Sequence, residues 1–227
     1  MRQALAVAAK APLPGTVKTR LHSMLSRDDA TELYRCFLKD TLALAASVPE
    51  TESIISYTPV GSEHYFSGIV SNGERLLAQR GASFGDKLFH ALADLLSEGF
   101  SSAVIMDSDS PTLPRQYLVQ AFEELAREGD RVVLGPASDG GYYLIGIKRP
   151  HRQLFDRITW STARVLGETI ERAREIGLEV VLLPEWYDVD GVEEFARLRR
   201  ELANGARSQA TNTRRFILSR WPADNSF

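Results

Sequence analysis

The chain has 227 residues, 30 acidic against 27 basic, a net charge of −3 and 44% hydrophobic residues, the composition of one globular domain with a single core. This balance gives no general attraction to nucleic acid or to an anionic membrane, so an anionic substrate must be held by a local basic cluster or by a metal. A lone cysteine, Cys36, excludes an internal disulfide framework. No apolar run approaches the ~20 residues of a membrane span, and the amino terminus lacks a secretory cleavage pattern, so the sequence predicts a cytoplasmic protein.

Gln3–Ala9 is an apolar run and a first strand. Residues 10–21 form a loop, because Pro12, Pro14 and Gly15 forbid a helix before about Val17. A long amphipathic helix spans Arg27–Val48, with Ala30, Leu33, Tyr34, Phe37, Leu38, Leu42 and Ala45 at helical spacing; Cys36 falls within it and reads as a core thiol. Ser53–Tyr57 is a second strand, 61–73 is irregular, and Arg75–Gln79 is a short third strand. Ser83 and Asp86 have the spacing of a capping box for a helix that runs to Ser97 and closes at Gly99.

Ala103-Val-Ile-Met106 is a central strand buried on both faces. It ends in Asp107-Ser-Asp109, stops at Pro111, and leads through Pro114 into a helix over Arg115–Arg127. A strand at Arg131–Leu134 precedes the loop 135–141, and strand character returns at Tyr142–Ile147 with no intervening helix, which predicts one antiparallel insertion. Ser161 is expected to cap a helix reaching Gly177. Val180–Leu183 is expected to be the last buried strand, followed by Asp188-Val-Asp190 and a helix from Val192 to about Ala203. The polar tail carries a short helix near Arg214–Ser219. Alternating strands and helices argue for an α/β three-layer sandwich around a mostly parallel, mixed sheet.

Four polar loops follow predicted strands: 10–20, 107–109, 138–141 and 188–190. In a parallel sheet all four meet at one edge, where open α/β folds bind ligands. Lys10, Lys18 and Arg20, with Gly15 allowing close backbone approach, suit phosphate. They do not form a P-loop, which would need glycines at Pro12 and Val17. Asp188 and Asp190 could complete with Asp109 a site for a divalent metal that leaves its other positions to phosphate and water. The plainer readings stand beside these: Asp107 and Asp109 as caps of the next helix, Asp190 as the N-cap of the last, Asp188 more so, and the basic residues as a surface loop. Asp139-Gly140-Gly141-Tyr142 is either a tight turn or a place where a sugar or acceptor meets backbone and hydrogen-bonds Asp139 and Tyr142. There is no Gly-x-Ser-x-Gly or Gly-x-Gly-x-x-Gly, and His22, His64, His90 and His151 have no zinc spacing.

Together, Lys-Ala-Pro-Leu-Pro-Gly-Thr-Val-Lys-Thr-Arg-Leu, Asp-Ser-Pro-Thr-Leu-Pro, Gly-Pro-Ala-Ser-Asp-Gly-Gly-Tyr-Tyr-Leu-Ile-Gly and Asp-Val-Asp resemble the bacterial glycosyltransferase-like DUF2064 family over roughly Leu5–Leu202. The resemblance implies a GT-A, nucleotide-diphospho-sugar transferase fold over residues 1–203, with 204–227 as a tail. It implies a nucleotide near Lys10, Gly15, Lys18, Arg20 and Asp107, and Mg²⁺ or Mn²⁺ on Asp109 with Asp190 as a second ligand. Asp109 and Asp139 are the candidate catalytic residues, and Gly140, Gly141 and Tyr142 would face the sugar or acceptor. More distant relatives make molybdenum guanine dinucleotide or activate phospholactate, but this chain lacks the Leu-Ala-Gly-Gly opening of the former. The expected activity is metal-dependent transfer from a nucleotide sugar to a small-molecule acceptor. The rival is nucleotidyl transfer from a nucleoside triphosphate with release of pyrophosphate, and a third reading is a nucleotide-binding module without turnover. Fold is implied more firmly than reaction.

Overall fold

The computed structural model describes residues 2–70, 74–204 and 210–221. Seven strands form one sheet: β1 (Gln3–Lys10), β2 (Thr51–Thr58), β3 (Arg75–Ala78), β4 (Ser102–Met106), β5 (Arg131–Pro136), β6 (Tyr142–Ile147) and β7 (Glu179–Leu182). Among the described residues six α-helices accompany them: α1 (Arg27–Ala46), α2 (Phe84–Ser97), α3 (Arg115–Ala126), α4 (Val165–Glu175), α5 (Val192–Ala203) and α6 (Thr211–Arg220). The strand order is β3-β2-β1-β4-β6-β5-β7. Only β6 runs against the rest: it pairs antiparallel with β4 and with β5, whereas the other pairings are parallel. The expected antiparallel insertion is therefore present, and the chain is an α/β three-layer sandwich.

Both sheet faces are buried, so successive residues of a central strand feed two cores. In β1, Leu5, Val7 and Ala9 point toward α1 and α3, with Tyr34, Leu38, Leu118 and Phe122; Ala4 and Ala6 point toward α2 and α4, with Leu88, Leu92, Leu95 and Ala173. A third cluster joins α1 to α5 and α6 through Phe37, Tyr187, Phe195, Leu198 and Ile217.

Local signals set the helix starts. Ser26 Oγ accepts from Asp29 N at 3.0 Å, and Ser83 and Asp86 exchange the two bonds of a capping box. Helix α6 has no cap of its own. Asp40 of α1, only 1% exposed, accepts instead from Asn212 N at 3.0 Å, Asn212 Nδ2 at 2.8 Å and Thr213 N at 2.7 Å. Asp40→Ala strands these donors in a buried seam, and we expect it to lower the stability of the chain by about 1–3 kcal/mol, read as a shift of the urea midpoint.

The structure departs from the expected boundaries in three places. Gly135 and Pro136 belong to β5, not to the following loop. Proline is tolerated there because a bulge separates it from Gly135, and its carbonyl accepts the bridging bond from Trp186 N at 3.0 Å. Gly135 is needed because a Cβ would lie 2.3 Å from the Tyr143 ring. Ser161 does not cap α4. It sits at φ 62°, and the helix starts at Val165 after Arg164, with no side-chain cap. Nor is β7 a buried strand: it is the edge of the sheet, and Leu182 is 49% exposed. Within the stretch expected to be irregular, Glu63–Phe66 makes one 3-10 turn, while 71–73 lie outside the described residues, as do 205–209 and 222–227 of the tail.

Candidate functional site

Because β1, β4, β5 and β7 run in one direction, the loops that follow them share a rim. A cavity of about 370 Å³ opens there, lined on one side by Lys10, Thr16, Lys18, Arg20, Asp107, Asp109 and Asp190. Such a volume lies in the range of small-molecule sites.

Lys18 is at the centre. Its side chain is 3% exposed, and its Nζ stands 2.7 Å from Asp109 Oδ1, 3.1 Å from Asp190 Oδ1 and 2.8 Å from the Val189 carbonyl, above the Phe37 ring at 5.3 Å. Burial alone would depress the ammonium, but Asp109 and Asp190 outweigh it and hold its pKa above the ordinary lysine value. Its backbone is left-handed, φ 49°, and it begins the 3-10 turn Thr19–Ser23 that projects Arg20 outward. Arg20, 74% exposed, lies 3.7 Å from Asp190 Oδ2.

The two carboxylates keep part of their surface open, 33% for Asp109 and 40% for Asp190. Asp190 is not the N-cap of α5. That position is Gly191, whose N–H donates to Glu194 Oε2 at 2.9 Å, and this leaves Asp190 free to face Lys18. Val189 N donates to the Asp109 carbonyl at 2.9 Å, which ties the two acidic loops together.

Asp107 turns inward. It accepts from Asp109 N at 2.9 Å, Ser110 N at 3.1 Å and Ser110 Oγ at 3.2 Å, so it shapes the turn that presents Asp109; the N-cap of α3 is Pro114, without a side-chain bond. Burial, then Asp109, push its pKa well above the carboxylate range. Asp188 is raised to about 6 by burial, then by Asp139, Asp190 and Asp109.

Asp139, Gly140, Gly141 and Tyr142 do not line the cavity. Asp139 Oδ1 accepts from Gly141 N at 2.8 Å, closing a turn. Gly140, at φ 88°, packs against backbone: a Cβ there would come 2.3 Å from the Ala163 carbonyl oxygen. Gly140→Ala should therefore destabilise the fold by at least about 1–2 kcal/mol, measured by thermal or chemical denaturation. Tyr142 packs its ring 6.5 Å from Trp160, and burial raises its hydroxyl pKa. Gly15 forms a turn at φ 81°, off the cavity, while the exposed side chain of Lys10 borders it.

Several lining residues carry no motif of their own: Tyr34, Thr58, Gln79, Phe84 and Lys87. Tyr34, read from the sequence as a core residue of α1, is buried, but its hydroxyl accepts from Lys10 N at 2.9 Å and lies 3.1 Å from Ser108 Oγ, bracing both loops.

The fold is the α/β fold of nucleotide-diphospho-sugar transferase-like and nucleotidyltransferase-like domains. The family model described as an uncharacterised protein conserved in bacteria, DUF2064, matches residues 41–162, and the chain belongs to that family. A crystal structure from Desulfovibrio desulfuricans G20, described as a candidate nucleotide-diphospho-sugar transferase, is 33% identical, covers 96% of this chain and 95% of its own, and superposes with a TM-score of 0.86. Two other structures share the fold alone. One is a cytidylyltransferase from Leptospira borgpetersenii serovar Hardjo-bovis (12% identity, 100% and 99% coverage, TM-score 0.61). The other is a Mycobacterium tuberculosis H37Rv protein in complex with manganese (16% identity, 87% and 97% coverage, TM-score 0.51). No curated protein matches the sequence. Among the described residues, no helix is long and apolar enough to cross a membrane.

Proposed function

We propose that the chain is a metal-dependent transferase that acts on a nucleotide-activated sugar. The observation that carries this reading is the arrangement of Asp109 and Asp190 around one cationic point at the mouth of a cavity. Among the described residues no cluster of three or more acidic, histidine or cysteine side chains could hold a metal. Two half-open carboxylates nevertheless fit Mg²⁺ or Mn²⁺, which commonly takes one or two carboxylates and completes its shell with phosphate oxygens and water. Asp109 and Asp190 would hold that ion, which would neutralise charge gathering on a diphosphate leaving group.

The remaining roles belong to the chain itself. Lys18 and Arg20 bring positive charge to the same oxygens, and Lys18 does so from a dry setting where a charge acts more strongly than in water. Asp107 holds the turn that aims Asp109. Asp139 stands outside the cavity lining and close enough to Asp188 to raise its pKa, a place in this reading for an acceptor hydroxyl.

A thermal-shift panel of nucleotide sugars and nucleoside triphosphates, each with and without Mn²⁺, tests this. A Mn²⁺-dependent gain confined to nucleotide sugars, with nucleoside diphosphate released on turnover, is expected. Pyrophosphate release from a triphosphate would instead establish nucleotidyl transfer, and no metal-dependent gain with any nucleotide would remove both enzymatic readings.

A further inference from the structure

Asp109 and Asp190 reach one cationic point from loops that lie far apart in the chain, so the gap between them has to be set by something other than sequence. The Lys18 ammonium, at 2.7 Å from one carboxylate and 3.1 Å from the other, tolerates error in that gap. A divalent ion taking both at about 2.1 Å tolerates much less. The fold must therefore hold the two side chains in place before any ion arrives.

Along 187–190 burial alternates. Tyr187 and Val189 are 1% and 0% exposed, packed in the cluster that joins α1, α5 and α6, while Asp188 and Asp190 keep part of their surface open. This is the period of extended chain, and it turns both carboxylates away from the core. Two hydrogen bonds pin the stretch to the end of β4. Val189 N donates to the Asp109 carbonyl at 2.9 Å, and Ser110 Oγ donates to the Tyr187 carbonyl at 3.2 Å, across 77 residues of sequence. The first is made by backbone alone. The second needs a hydroxyl at residue 110.

Ser110 is itself firmly held and is not among the residues that line the cavity. It is 0% exposed, its N–H donates to Asp107 Oδ1 at 3.1 Å, and its carbonyl accepts from Leu113 N at 3.1 Å. Its Oγ lies 3.2 Å from Asp107 Oδ2 as well as from the Tyr187 carbonyl. One hydroxyl proton thus sits between the carboxylate that shapes the Asp109 turn and the carbonyl that begins the Asp190 stretch. The turn alone does not require it, because Asp107 Oδ1 already accepts two backbone N–H groups, from Asp109 and Ser110. A third link between the same segments lies on the core side: the Thr112 and Tyr187 hydroxyls stand 3.3 Å apart, and Tyr187 Oη donates to Glu201 Oε2 at 2.5 Å.

We propose that Ser110 is a positioning residue, whose hydroxyl fixes the separation of Asp109 and Asp190 that a divalent ion requires. The proposal rests on the metal-dependent reading above and adds to it a side chain that touches neither metal nor substrate.

Mn²⁺ binding to the full chain, alone and with a nucleoside diphosphate, tests it, read from the electron paramagnetic resonance of the free ion against a protein-free control. Ser110→Ala and Tyr187→Phe each remove one buried hydroxyl from between the same two segments, and both should lower the urea midpoint. Only Ser110→Ala should weaken Mn²⁺ binding, by about tenfold, the lower end of the loss when a group that orients a metal ligand is removed. Tyr187→Phe should hold Mn²⁺ as the wild type does. Equal weakening in the two variants would make Ser110 a part of the scaffold and overturn the proposal, as would a Ser110→Ala chain with unchanged Mn²⁺ affinity; either result leaves Asp109 and Asp190 as metal ligands. A wild-type chain that binds no Mn²⁺ in either condition removes the metal-dependent reading and this inference together.

Discussion

Asp109→Asn is expected to abolish Mn²⁺-dependent nucleotide binding and to lower kcat/KM for transfer by about 10²–10³-fold, the scale on which removing one preorganised charge-stabilising group acts. The substitution keeps the shape of the side chain and the backbone bonds of residue 109 to Asp107 and Val189, so the loop should keep its path. It removes the charge nearest the buried Lys18, 2.7 Å away, and leaves that ammonium with Asp190 and the Val189 carbonyl. Loss of one partner of a fully buried pair costs about 3–5 kcal/mol; here Asp109 is 33% exposed and solvent screens it, so about 1–2 kcal/mol is expected. Titration with Mn²⁺, steady-state kinetics and a urea midpoint on one preparation separate the two effects. A variant that bound metal and nucleotide as well as the wild type would sink the assignment of Asp109.

Much of this site could be read along the chain because its charged side chains sit where secondary structure must stop. A strand such as Ala103–Met106 is legible from its unbroken apolar run, and Asp107-Ser-Asp109 has nowhere to go but the rim. The same logic placed 10–20 and 188–190 beside it, and Lys18 does meet Asp109 and Asp190. What Asp190 does was not legible, since Asp-Gly before Glu-Glu is equally a capping sequence; only the three-dimensional placement of Lys18, 172 residues away, resolves it.

Phe84, Gln79, Thr58 and Lys87 were missed for a related reason. They join the site through the order β3-β2-β1-β4, and no spacing within the chain encodes that adjacency. The false starts have local causes as well. Ser161 looked like a cap because serine before an amphipathic run usually is one, yet here it occupies a left-handed turn. The run Val180–Leu183 is as apolar as a buried strand, but its place at the sheet edge leaves Leu182 open.

Lys18→Met should make the empty site less stable and, at the same time, more responsive to metal alone. Both consequences follow from the ammonium standing between the two carboxylates, 2.7 Å from one and 3.1 Å from the other. Methionine keeps most of the stem that runs past Phe37 and inherits the same left-handed backbone, so the comparison isolates the charge. Without it Asp109 and Asp190 face each other with only Arg20, 3.7 Å from Asp190 and mostly in solvent, to offset them. We expect the apo chain to lose about 2 kcal/mol, less than the about 3–5 kcal/mol for a fully buried ion pair because both carboxylates remain partly hydrated. Mn²⁺ added alone should then raise Tm more in the variant than in the wild type, since a cation entering the wild-type site competes with one already there, and ligand stabilisation scales with affinity for the folded state. Nucleotide affinity should move the other way, falling at least tenfold as the phosphates lose a desolvated positive charge. Differential scanning with Mn²⁺, with nucleotide and with both gives four midpoints for each protein. Identical Mn²⁺ responses in the two would mean that Lys18 and the metal do not share a place, and the arrangement of Asp109 and Asp190 around it would then be an ion pair of the scaffold alone.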